Sequence, residues 1–377
     1  MSTVLFVFGT RPEAIKLAPL IDELRRNPAF TVRVCVTGQH REMLAQVLRL
    51  FDIVPDADLA LMTPNQELSD VAASILSAMR GVLQSMRPDL VVVQGDTTSA
   101  FAAGLAAFYA GIDVAHVEAG LRSGDHSAPW PEEVNRKLLS VVAQFHFVPT
   151  DEARANLLRE GTDPARIHVT GNTVIDALKN AVARIAADDV LRAKLDSEFS
   201  FLDRGRRLIL VTGHRRENFG PGLESICDAL AEIAREHGEI EIVYPVHLNP
   251  KVRMPVQRIL GGSERVHLID PVDYVSFVHL MTRSDFILTD SGGVQEEAPT
   301  LGKPVLVMRD TTERPEAVVG GNARLIGTRR ESIVSEAKLL LRDPAHRERM
   351  SRPSSAFGDG RASARIAEIL GRAIREA

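Results

Sequence analysis

Three acidic side chains occupy positions from which they could transfer protons. Asp96 and Glu118 each follow an apolar run of strand type, and Glu132 opens a predicted helix. Burial and a neighbouring carboxylate both raise the pKa of a carboxyl group, which suits acid–base chemistry. The alternatives are that Asp96 caps a helix beginning near Thr98 and that Glu132 favours its own helix dipole. Glu118, at the end of a buried strand, needs a partner to offset the cost of its charge.

A second group of residues predicts a binding site for a nucleotide diphosphate. The apolar run Phe286–Thr289 ends at Asp290-Ser-Gly-Gly293, and a helix is predicted to follow to about Leu301. Two glycines at a strand-to-helix turn let the backbone approach a ligand closely, and the N–H groups at a helix start favour an anion. Glu296 and Glu297, one turn further along, are placed for sugar hydroxyls. The alternative is a tight turn followed by a polar helix.

Basic and histidine side chains follow several other predicted strands. They are Arg11 and Lys16, His214 and Arg215, His247, and Arg314. Cationic side chains beside a helix start suit a pyrophosphate, and a histidine between a glycine and two arginines suits binding or protonation of a leaving diphosphate. For Arg11 and Lys16 the alternative is a pair of solvated charges on a helix face. The histidines lack metal-ligand spacing, so no metal is expected.

The elements that must position these residues alternate between short β-branched runs and helical patterns. Strands are predicted at residues 4–8, 32–37, 90–94, 114–117, 146–148 and 167–170, and then at 208–212, 240–245, 266–269, 286–289, 304–307 and 324–326. Strands that alternate with helices form parallel, doubly wound sheets, and ligands bind beyond the carboxyl ends of the strands. The prediction is an α/β protein with two domains whose parallel sheets face a central cleft.

The domain limits follow from the same pattern. Residues 1–180 are predicted to form an N-terminal domain that carries the acidic residues, and residues 207–355 a C-terminal domain that binds the nucleotide. Residues 181–206 are charged, helical in pattern and without strand character, so they are interpreted as the connection. Residues 356–377 contain a terminal helix that could pack back on the N-terminal domain.

Composition limits the class of protein. With 377 residues, 45% hydrophobic and 25% charged, the chain resembles a globular enzyme of two domains. Its formal charge of -5 gives no electrostatic reason to expect nucleic acid or a membrane surface as a partner. Two cysteines predict no disulfide framework, and a strand at the start without a signal segment predicts a cytoplasmic protein. The motifs of nicotinamide enzymes, P-loop kinases and serine hydrolases are absent from the sequence.

Seven motifs resemble those of the non-hydrolysing UDP-N-acetylglucosamine 2-epimerases. In chain order they are Gly9-Thr-Arg-Pro-Glu-Ala-Ile-Lys16, Thr37-Gly-Gln-His-Arg-Glu-Met43, Gly95-Asp-Thr-Thr98, His116-Val-Glu-Ala-Gly-Leu-Arg122, Pro129-Trp-Pro-Glu-Glu-Val-Asn-Arg136, Thr212-Gly-His-Arg-Arg-Glu-Asn218 and Asp290-Ser-Gly-Gly-Val-Gln-Glu-Glu297. The resemblance extends from residue 3 to about residue 327. It implies two Rossmann-like domains in the glycosyltransferase-B architecture, a homodimer, and a UDP-sugar substrate handled without a cofactor. The residues alone indicate only a two-domain nucleotide-sugar protein.

The resemblance also implies a reaction. Family members interconvert UDP-N-acetylglucosamine and UDP-N-acetylmannosamine, which supplies N-acetylmannosamine units for cell-surface polysaccharide. UDP leaves by anti-elimination to give 2-acetamidoglucal, and it adds back syn after reprotonation of the other face of C2. The implied catalytic residues are Asp96, Glu118 and Glu132 for the proton and His214 for the departing UDP. The implied substrate-binding residues are Arg11, Lys16, Arg215, His247, Phe277, Ser291, Gly292, Gly293, Glu297 and Arg314. Among these, Glu297 would bind the ribose hydroxyls and Phe277 would lie near the uracil.

Some members of the family need UDP-N-acetylglucosamine itself at a second, activating site. The positions that match those associated with this site are Gln39, His40, Gln66, Arg215 and His247. Ser74 stands where an arginine is often found in the helix after Pro64-Asn-Gln-Glu-Leu68. This departure from the family pattern leaves allosteric activation of this chain open.

Three alternatives to an epimerase remain at the level of sequence. A glycosyltransferase of the same fold would need an acceptor site, and no surface for a lipid, protein or nucleic acid acceptor is evident. A hydrolysing variant would release UDP and the free sugar, and would differ only in the access of water to the glycal. A non-enzymatic UDP-sugar sensor would keep Ser291, Gly292 and Glu297 but could dispense with the three carboxylates. The epimerase is favoured because all three carboxylates are present.

Overall fold

The computed structural model describes residues 1–38, 41–62 and 66–376. The chain divides into two compact units: unit 1 consists of Met1–Ala177 and Phe357–Ala377, and unit 2 of Leu178–Ala356. A parallel sheet forms the centre of each unit. Residues 181–206, interpreted from sequence as a connection, are helical for most of their length and belong to unit 2.

The elements are labelled in chain order. The strands are β1 Ser2–Phe8, β2 Phe30–Val36, β3 Ala57–Asp58, β4 Leu90–Gln94, β5 Asp113–Val117, β6 Phe145–Val148, β7 Ile167–Val169, β8 Arg207–Thr212, β9 Ile240–Pro245, β10 Val266–Ile269, β11 Phe286–Thr289, β12 Val305–Val307 and β13 Ala323–Leu325. The helices are α1 Arg11–Arg25, α2 Arg41–Leu50, α3 Leu68–Met86, α4 Thr98–Tyr109, α5 Glu132–Val142, α6 Asp151–Arg159, α7 Thr173–Ala187, α8 Asp189–Glu198, α9 Pro221–Glu236, α10 Pro250–Leu260, α11 Tyr274–Arg283, α12 Gly292–Thr300, α13 Pro315–Val319, α14 Arg330–Arg342, α15 Pro344–Met350 and α16 Ala362–Glu376.

The sheet of unit 1 has seven strands in the order β3-β2-β1-β4-β5-β6-β7. The chain adds strands on one side of β1 and then continues on the other side at β4, so the direction of winding changes between these two strands. Val4 pairs with Leu90 and Phe6 with Val92 across this point. In doubly wound sheets ligands bind at such a switch point, beyond the carboxyl ends of the strands. The residues that follow β1 and β4 therefore lie where a ligand is expected.

The sheet of unit 2 repeats this plan with six strands in the order β10-β9-β8-β11-β12-β13. Its switch point lies between β8 and β11, where Leu288 pairs with Val211 and Thr289 with Thr212. The core residues of both strands are fully buried, as expected for parallel strands covered on both faces. The segments that begin at Gly213 and Asp290 leave the sheet side by side.

The predicted parallel α/β architecture with two sheets is confirmed. β4, β9, β10 and β11 have the predicted limits, and the ends of the other predicted strands differ by one or two residues. β3 was not visible in the sequence pattern. It consists of Ala57 and Asp58, which pair with Cys35 and Val36 of β2. A strand of two residues is too short to produce a recognisable periodicity.

α4 is an alanine-rich helix that packs against the sheet, α3 and α5. Most of its residues are buried, and Gly104 is required for the close approach of α5. A Cβ at this position would lie 2.7 Å from Cδ2 of Leu139. Over the described residues, the structure contains no helix that combines the length and the apolar character needed to cross a membrane.

The C-terminal segment is attached to unit 1 by hydrogen bonds at its start. The backbone N–H of Asn172 donates to the carbonyl oxygen of Phe357 at 2.7 Å. Asp176 of α7 accepts from the backbone N–H groups of Ala362 at 3.2 Å and Ser363 at 2.8 Å, at the N-terminus of α16. α16 then packs against α1.

Candidate active site

Two of the predicted carboxylates lie at the ends of neighbouring strands in unit 1. β4 and β5 pair through Gln94 and Val117, so Gly95 and Glu118 follow at adjacent positions. A Cβ at Gly95 would lie 3.9 Å from Oε1 of Glu118. Asp96, the next residue, therefore shares this edge of the sheet with Glu118.

Glu118 combines an uncommon backbone conformation with a buried ion pair. Its φ is 66°, in the left-handed region that residues other than glycine rarely adopt. Its side chain is 5% exposed and forms an ion pair with Lys16 of α1. The ammonium group of Lys16 contacts Oε2 of Glu118, and the side-chain amide of Asn172 donates to this same oxygen at 2.7 Å. These donors offset the cost of burying a carboxylate, and they supply the partner that the sequence position of Glu118 requires.

The start of α1 positions the two basic residues expected to bind phosphate. Thr10 and Glu13 form a capping box. Glu13 also accepts the hydroxyl of Thr97 at 2.6 Å, which joins the end of β1 to the end of β4. Arg11, the first residue of α1, is half-buried, and the ammonium group of Lys16 bonds to Glu118 instead of extending into solvent. Burial raises the pKa of Glu13. The capping pattern of Thr10 and Glu13 is visible in the sequence, but the hydrogen bond between Glu13 and Thr97 is not.

Asp96 is held by an arginine and does not cap a helix. Its carboxylate forms an ion pair with Arg136 of α5, whose side chain is 4% exposed, while the Asp96 side chain is 25% exposed. The cap of α4 is Thr97, whose hydroxyl accepts from the N–H of Ala100 at 3.0 Å. The capping alternative for Asp96 is therefore wrong, because Thr97 occupies that position. The carboxylate of Asp96 is thus partly accessible to solvent and is held by the buried guanidinium of Arg136.

α5 carries the third predicted carboxylate and the residue that orients Arg136. Glu132 is half-buried at the first position of α5, one turn before Arg136, so both side chains lie on one face. Glu133 is fully buried at 0% exposure and lies 3.3 Å from Nη1 of Arg136. It also accepts the N–H groups of Ser123 at 3.0 Å and Gly124 at 3.3 Å. Glu133 thus fixes the loop after β5 and the arginine that faces it.

Two buried histidines lie behind this edge of the sheet. Nε2 of His116 lies 2.7 Å from the carbonyl oxygen of Gly95. Burial lowers the pKa of His116 to about 4 and that of His146 to about 3. Both imidazoles are therefore neutral at neutral pH.

In unit 2 the loop after β8 is built around Asp290. This carboxylate is 1% exposed. It accepts the backbone N–H groups of His214 at 3.0 Å and Arg215 at 2.9 Å, and the side-chain amide of Asn218 at 3.1 Å. Nδ1 of His214 lies 3.8 Å from Oδ1 of Asp290. Burial lowers the pKa of His214, and the charge of Asp290 opposes this shift.

His214 is accompanied by the two other residues predicted at these strand ends. The rings of His214 and His247 stack with centroids 5.5 Å apart and planes 12° apart. Nη2 of Arg215 lies 3.8 Å from Oε1 of Glu313. The structure therefore brings His214, Arg215 and His247 together beyond the carboxyl ends of β8 and β9.

The predicted nucleotide site is the N-terminus of α12. Ser291 is the N-cap residue and Gly292 the first helical residue, as the sequence predicts. Glu297, one turn further on, is buried and accepts the hydroxyl of Tyr274 at 2.7 Å. Tyr274 belongs to α11, where Phe277 is half-buried one turn later. Residues three apart lie on one face of a helix, so Phe277 is on the face of α11 that reaches Glu297.

Glu296 and Arg314 form an internal network behind this helix start. Glu296 is 0% exposed and forms an ion pair with Arg314. Nη1 of Arg314 also bonds to Oε1 of Glu313 at 2.5 Å. The interpretation of Glu296 as a sugar-binding residue is wrong, because its carboxylate is buried in this ion pair. Binding of substrate by Arg314 stays a prediction.

The residues that match an activating site are only partly described. Gln39 and His40 lie outside the described residues. Gln66 is half-buried just before α3, and Ser74 is half-buried within α3. In the ranges 1–38, 41–62 and 66–376, no group of three or more histidine, cysteine, aspartate or glutamate residues is arranged to hold a metal ion.

The chain is similar over nearly its whole length to known proteins. A family model described as UDP-N-acetylglucosamine 2-epimerase matches residues 22–371. The UDP-N-acetylglucosamine 2-epimerase of Escherichia coli K12 is 57% identical over 367 residues, which cover 97% of this chain and 98% of that protein. The protein of the same name from Campylobacter jejuni is 50% identical over 371 residues, which cover 97% of each chain.

Solved structures of UDP-GlcNAc 2-epimerases have the same fold as this chain. The UDP-GlcNAc 2-epimerase of Neisseria meningitidis bound to UDP-GlcNAc has a TM-score of 0.96 and 48% identity, covering 98% of this chain and 100% of that chain. The Methanocaldococcus jannaschii UDP-GlcNAc 2-epimerase in complex with UDP-GlcNAc and UDP has a TM-score of 0.86 and 32% identity, covering 98% of this chain and 99% of that chain.

Proposed function

The chain belongs to the UDP-N-acetylglucosamine 2-epimerase family, and we propose that it inverts C2 of UDP-N-acetylglucosamine by eliminating UDP and adding it back. The C2 proton and UDP leave from opposite faces, which gives 2-acetamidoglucal and UDP. A proton then adds to the other face of C2, and UDP adds to C1 on the same side as that proton. The product is UDP-N-acetylmannosamine, and every atom except the exchanged proton is returned.

The observation that carries this proposal is the placement of Asp96 and Glu118 at neighbouring strand ends of unit 1. Each carboxylate is paired with a buried cationic side chain, Arg136 and Lys16 respectively. This support fixes the direction of an acid or base, as proton transfer to and from one carbon requires. We assign the two proton transfers at C2 to Asp96, Glu118 and Glu132, without assigning one carboxylate to each face.

We assign the binding of UDP to unit 2. The N-terminus of α12, with Ser291, Gly292 and Gly293, offers backbone N–H groups and a favourable helix dipole to a diphosphate. Glu297 would accept the ribose hydroxyls, and Phe277 would contact the uracil. The stacked pair His214 and His247, with Arg215 beside it, would stabilise the charge on departing UDP. Arg11 and Lys16 of unit 1 remain further candidates for the pyrophosphate.

Proton NMR with UDP-N-acetylglucosamine in D₂O tests the reaction directly. The expected product is UDP-N-acetylmannosamine with deuterium at C2, formed without added metal or nicotinamide. Free UDP together with a free sugar would instead indicate the hydrolysing variant. An unchanged spectrum would contradict the proposal and favour a transferase or a sensor.

Single substitutions test the assignment of the carboxylates. Asp96→Asn, Glu118→Gln and Glu132→Gln should each lower kcat by about 100- to 10,000-fold, the usual contribution of a general acid or base. UDP affinity should change little, because most of the residues assigned to UDP lie in unit 2. Asp113→Asn is the matched control, since Asp113 is an exposed carboxylate at the opposite end of β5 from Glu118. Turnover near that of the wild type in any of the three would remove that residue from the mechanism.

We also propose a homodimer formed through α4 and α5. These packed helices carry large apolar side chains at the surface: Phe108 is 49% exposed, Tyr109 73%, Leu138 42% and Val141 79%. Exposed apolar patches of this kind mark interaction sites. Light scattering after size exclusion should give twice the mass of 41.3 kDa, and Val141→Glu should shift it toward one chain. A monomeric wild type would contradict this.

Activation by a second UDP-N-acetylglucosamine and a cytoplasmic location complete the proposal. Arg215 and His247, two of the positions associated with activation, lie beside His214. A lag, or a requirement for UDP-N-acetylglucosamine, is expected when UDP-N-acetylmannosamine is the substrate, and a hyperbolic curve without a lag would refute activation.

The proposed location is the cytoplasm. Cys35 and Cys227 are free thiols, the form that a reducing compartment maintains, and cell fractionation tests the location.

A further inference from the structure

We infer that Asn172 is a positioning residue for Glu118, and that through Asn172 the C-terminal segment supports the proton-transfer site. This inference rests on the proposed role of Glu118 in proton transfer at C2. Asn172 does not belong to any of the motifs that resemble the family, and its position in the sequence, just after β7, gives no indication of its partner.

The contact between Asn172 and Glu118 is short and buried. Asn172 is 2% exposed, and its Nδ2–H donates to Oε2 of Glu118 at 2.7 Å. Lys16 donates to the same oxygen. A glutamate side chain has three rotatable bonds, and the φ of 66° at Glu118 directs it differently from an ordinary strand residue. Two donors on one oxygen, one from α1 and one from the loop between β7 and α7, define where the other oxygen of the carboxylate points.

Asn172 is itself held in a single orientation. Its Oδ1 accepts the N–H of Val174 at 3.1 Å, so its Nδ2 must face the carboxylate. Its backbone N–H donates to the carbonyl oxygen of Phe357 at 2.7 Å. The preceding residue touches the same segment, because a Cβ on Gly171 would lie 3.0 Å from Cα of Gly358.

Asn172 and Lys16 therefore both lie in parts of unit 1 that contact the C-terminal segment. Asn172 bonds to its first residue, Phe357, which is 2% exposed. Lys16 lies on α1, against which α16 packs. The segment that ends the chain thus supports the geometry of a carboxylate that lies near the middle of unit 1, and this gives its return to unit 1 a functional reason.

Asn172→Asp tests the inference because it changes one atom of the contact. The aspartate keeps the size of the side chain and the acceptor for Val174. Burial beside Glu118 raises the pKa of this aspartate, so it ionises, and loses the ability to donate to Glu118, toward the alkaline end of the pH profile. There we expect kcat to fall about 10- to 100-fold, as for a misplaced catalytic group, with KM and UDP affinity unchanged. Lowering the pH should partly restore kcat relative to the wild type, because a protonated aspartic acid can donate a hydrogen bond to Glu118.

Asp176→Asn is the matched control. Asp176 also holds the C-terminal segment, through Ala362 and Ser363, and no role at Glu118 is assigned to it. This variant should melt at a lower temperature and keep the kcat of the wild type. If Asn172→Asp does not fold, Asn172→Ser is measured instead. Its hydroxyl is too short to reach Glu118, so kcat should fall without dependence on pH.

The outcomes separate this inference from the proposed function. Wild-type kcat for Asn172→Asp at every pH of the profile, beside an inactive Glu118→Gln, would overturn the inference alone. Wild-type kcat for Glu118→Gln would overturn the proposed role of Glu118, and the inference with it. Equal losses in Asn172→Asp and Asp176→Asn, or a loss in Asn172→Asp that lower pH does not reverse, would assign Asn172 to packing only.

Discussion

Replacing Gly292 by alanine should destabilise unit 2, whereas the same change at Gly293 should not. A Cβ at Gly292 would lie 2.5 Å from Nη1 and 2.8 Å from Cζ of Arg314. Arg314 has little freedom to move away, because its guanidinium bonds to the buried carboxylates of Glu296 and Glu313. At Gly293 the nearest atom is a carboxylate oxygen at 3.6 Å, which is an ordinary contact.

The size of the effect follows from these contacts. Overpacking a buried site costs about 1–3 kcal/mol. The upper half of this range is expected here, because the displaced group is a charge bonded to two buried carboxylates and cannot leave them without a larger penalty. For a unit of this size, 1 kcal/mol changes Tm by about 2–4 °C. Gly292→Ala should therefore melt about 4–12 °C below the wild type, and Gly293→Ala at or slightly above it, because alanine restricts the unfolded chain.

Differential scanning calorimetry of the two variants beside the wild type measures this difference. A melting temperature for Gly292→Ala equal to that of the wild type would refute the argument from crowding. Equal destabilisation of both variants would refute it in another way, since it would implicate the turn before α12 and not Arg314. Titration with UDP on the same samples shows whether the glycine that serves internal packing is also needed for the nucleotide.

Three further predictions follow from buried groups. His146 alone should lower the free energy of unfolding by about 1.4 kcal/mol per pH unit as the pH drops below 6.5, because the unfolded chain binds a proton that His146, with its pKa lowered to about 3, does not bind in the folded state. His116, with its pKa lowered to about 4, adds to the same slope. His146→Leu should reduce the slope in urea titrations by about 1.4 kcal/mol per pH unit, and an unchanged slope would contradict this. Asp290→Asn should lower kcat and move the alkaline limb of the kcat–pH profile to lower pH. The reason is that the negative charge of Asp290 raises the pKa of His214, and the variant lacks this charge. An unchanged pH profile would contradict the prediction. Tyr274→Phe should weaken UDP binding about 3- to 10-fold, the usual value of one hydrogen bond, by releasing Glu297, and equal affinity in calorimetry would argue against a role for that carboxylate.

The order and type of elements could be predicted because the buried strands are continuous apolar runs. The positions of Asp96 and Glu118 were predictable for the same reason, since each residue follows such a run. Their partners were not. Lys16 and Asn172 are 102 and 54 residues away from Glu118 in the chain, and no local pattern connects residues that meet only when strands of a parallel sheet align.

The interpretation of Glu296 failed because sequence position does not show where a side chain points. A charge at a helix start beside a strand end can serve a ligand or another buried charge. Glu296 serves Arg314, and a fully buried carboxylate requires such a partner. Lys16 shows the same ambiguity, because it lies on the helix predicted after β1 and its ammonium group bonds to Glu118. Binding of phosphate by Lys16 stays a prediction.

The kind of donor that holds each carboxylate distinguishes the residues that build the site from those assigned to chemistry. Asp290 and Glu133 accept hydrogen bonds from backbone N–H groups, and these bonds fix the loops that carry the donors. Protonation of either carboxylate would weaken these bonds and release a segment of the chain. Asp96 and Glu118 are instead reached by side chains, which can adjust when the charge on the carboxylate changes during turnover. A carboxylate at a strand end whose donors are side chains can therefore exchange a proton without disturbing the backbone, and this is a reason to propose proton transfer for Asp96 and Glu118 and not for Glu133 or Asp290.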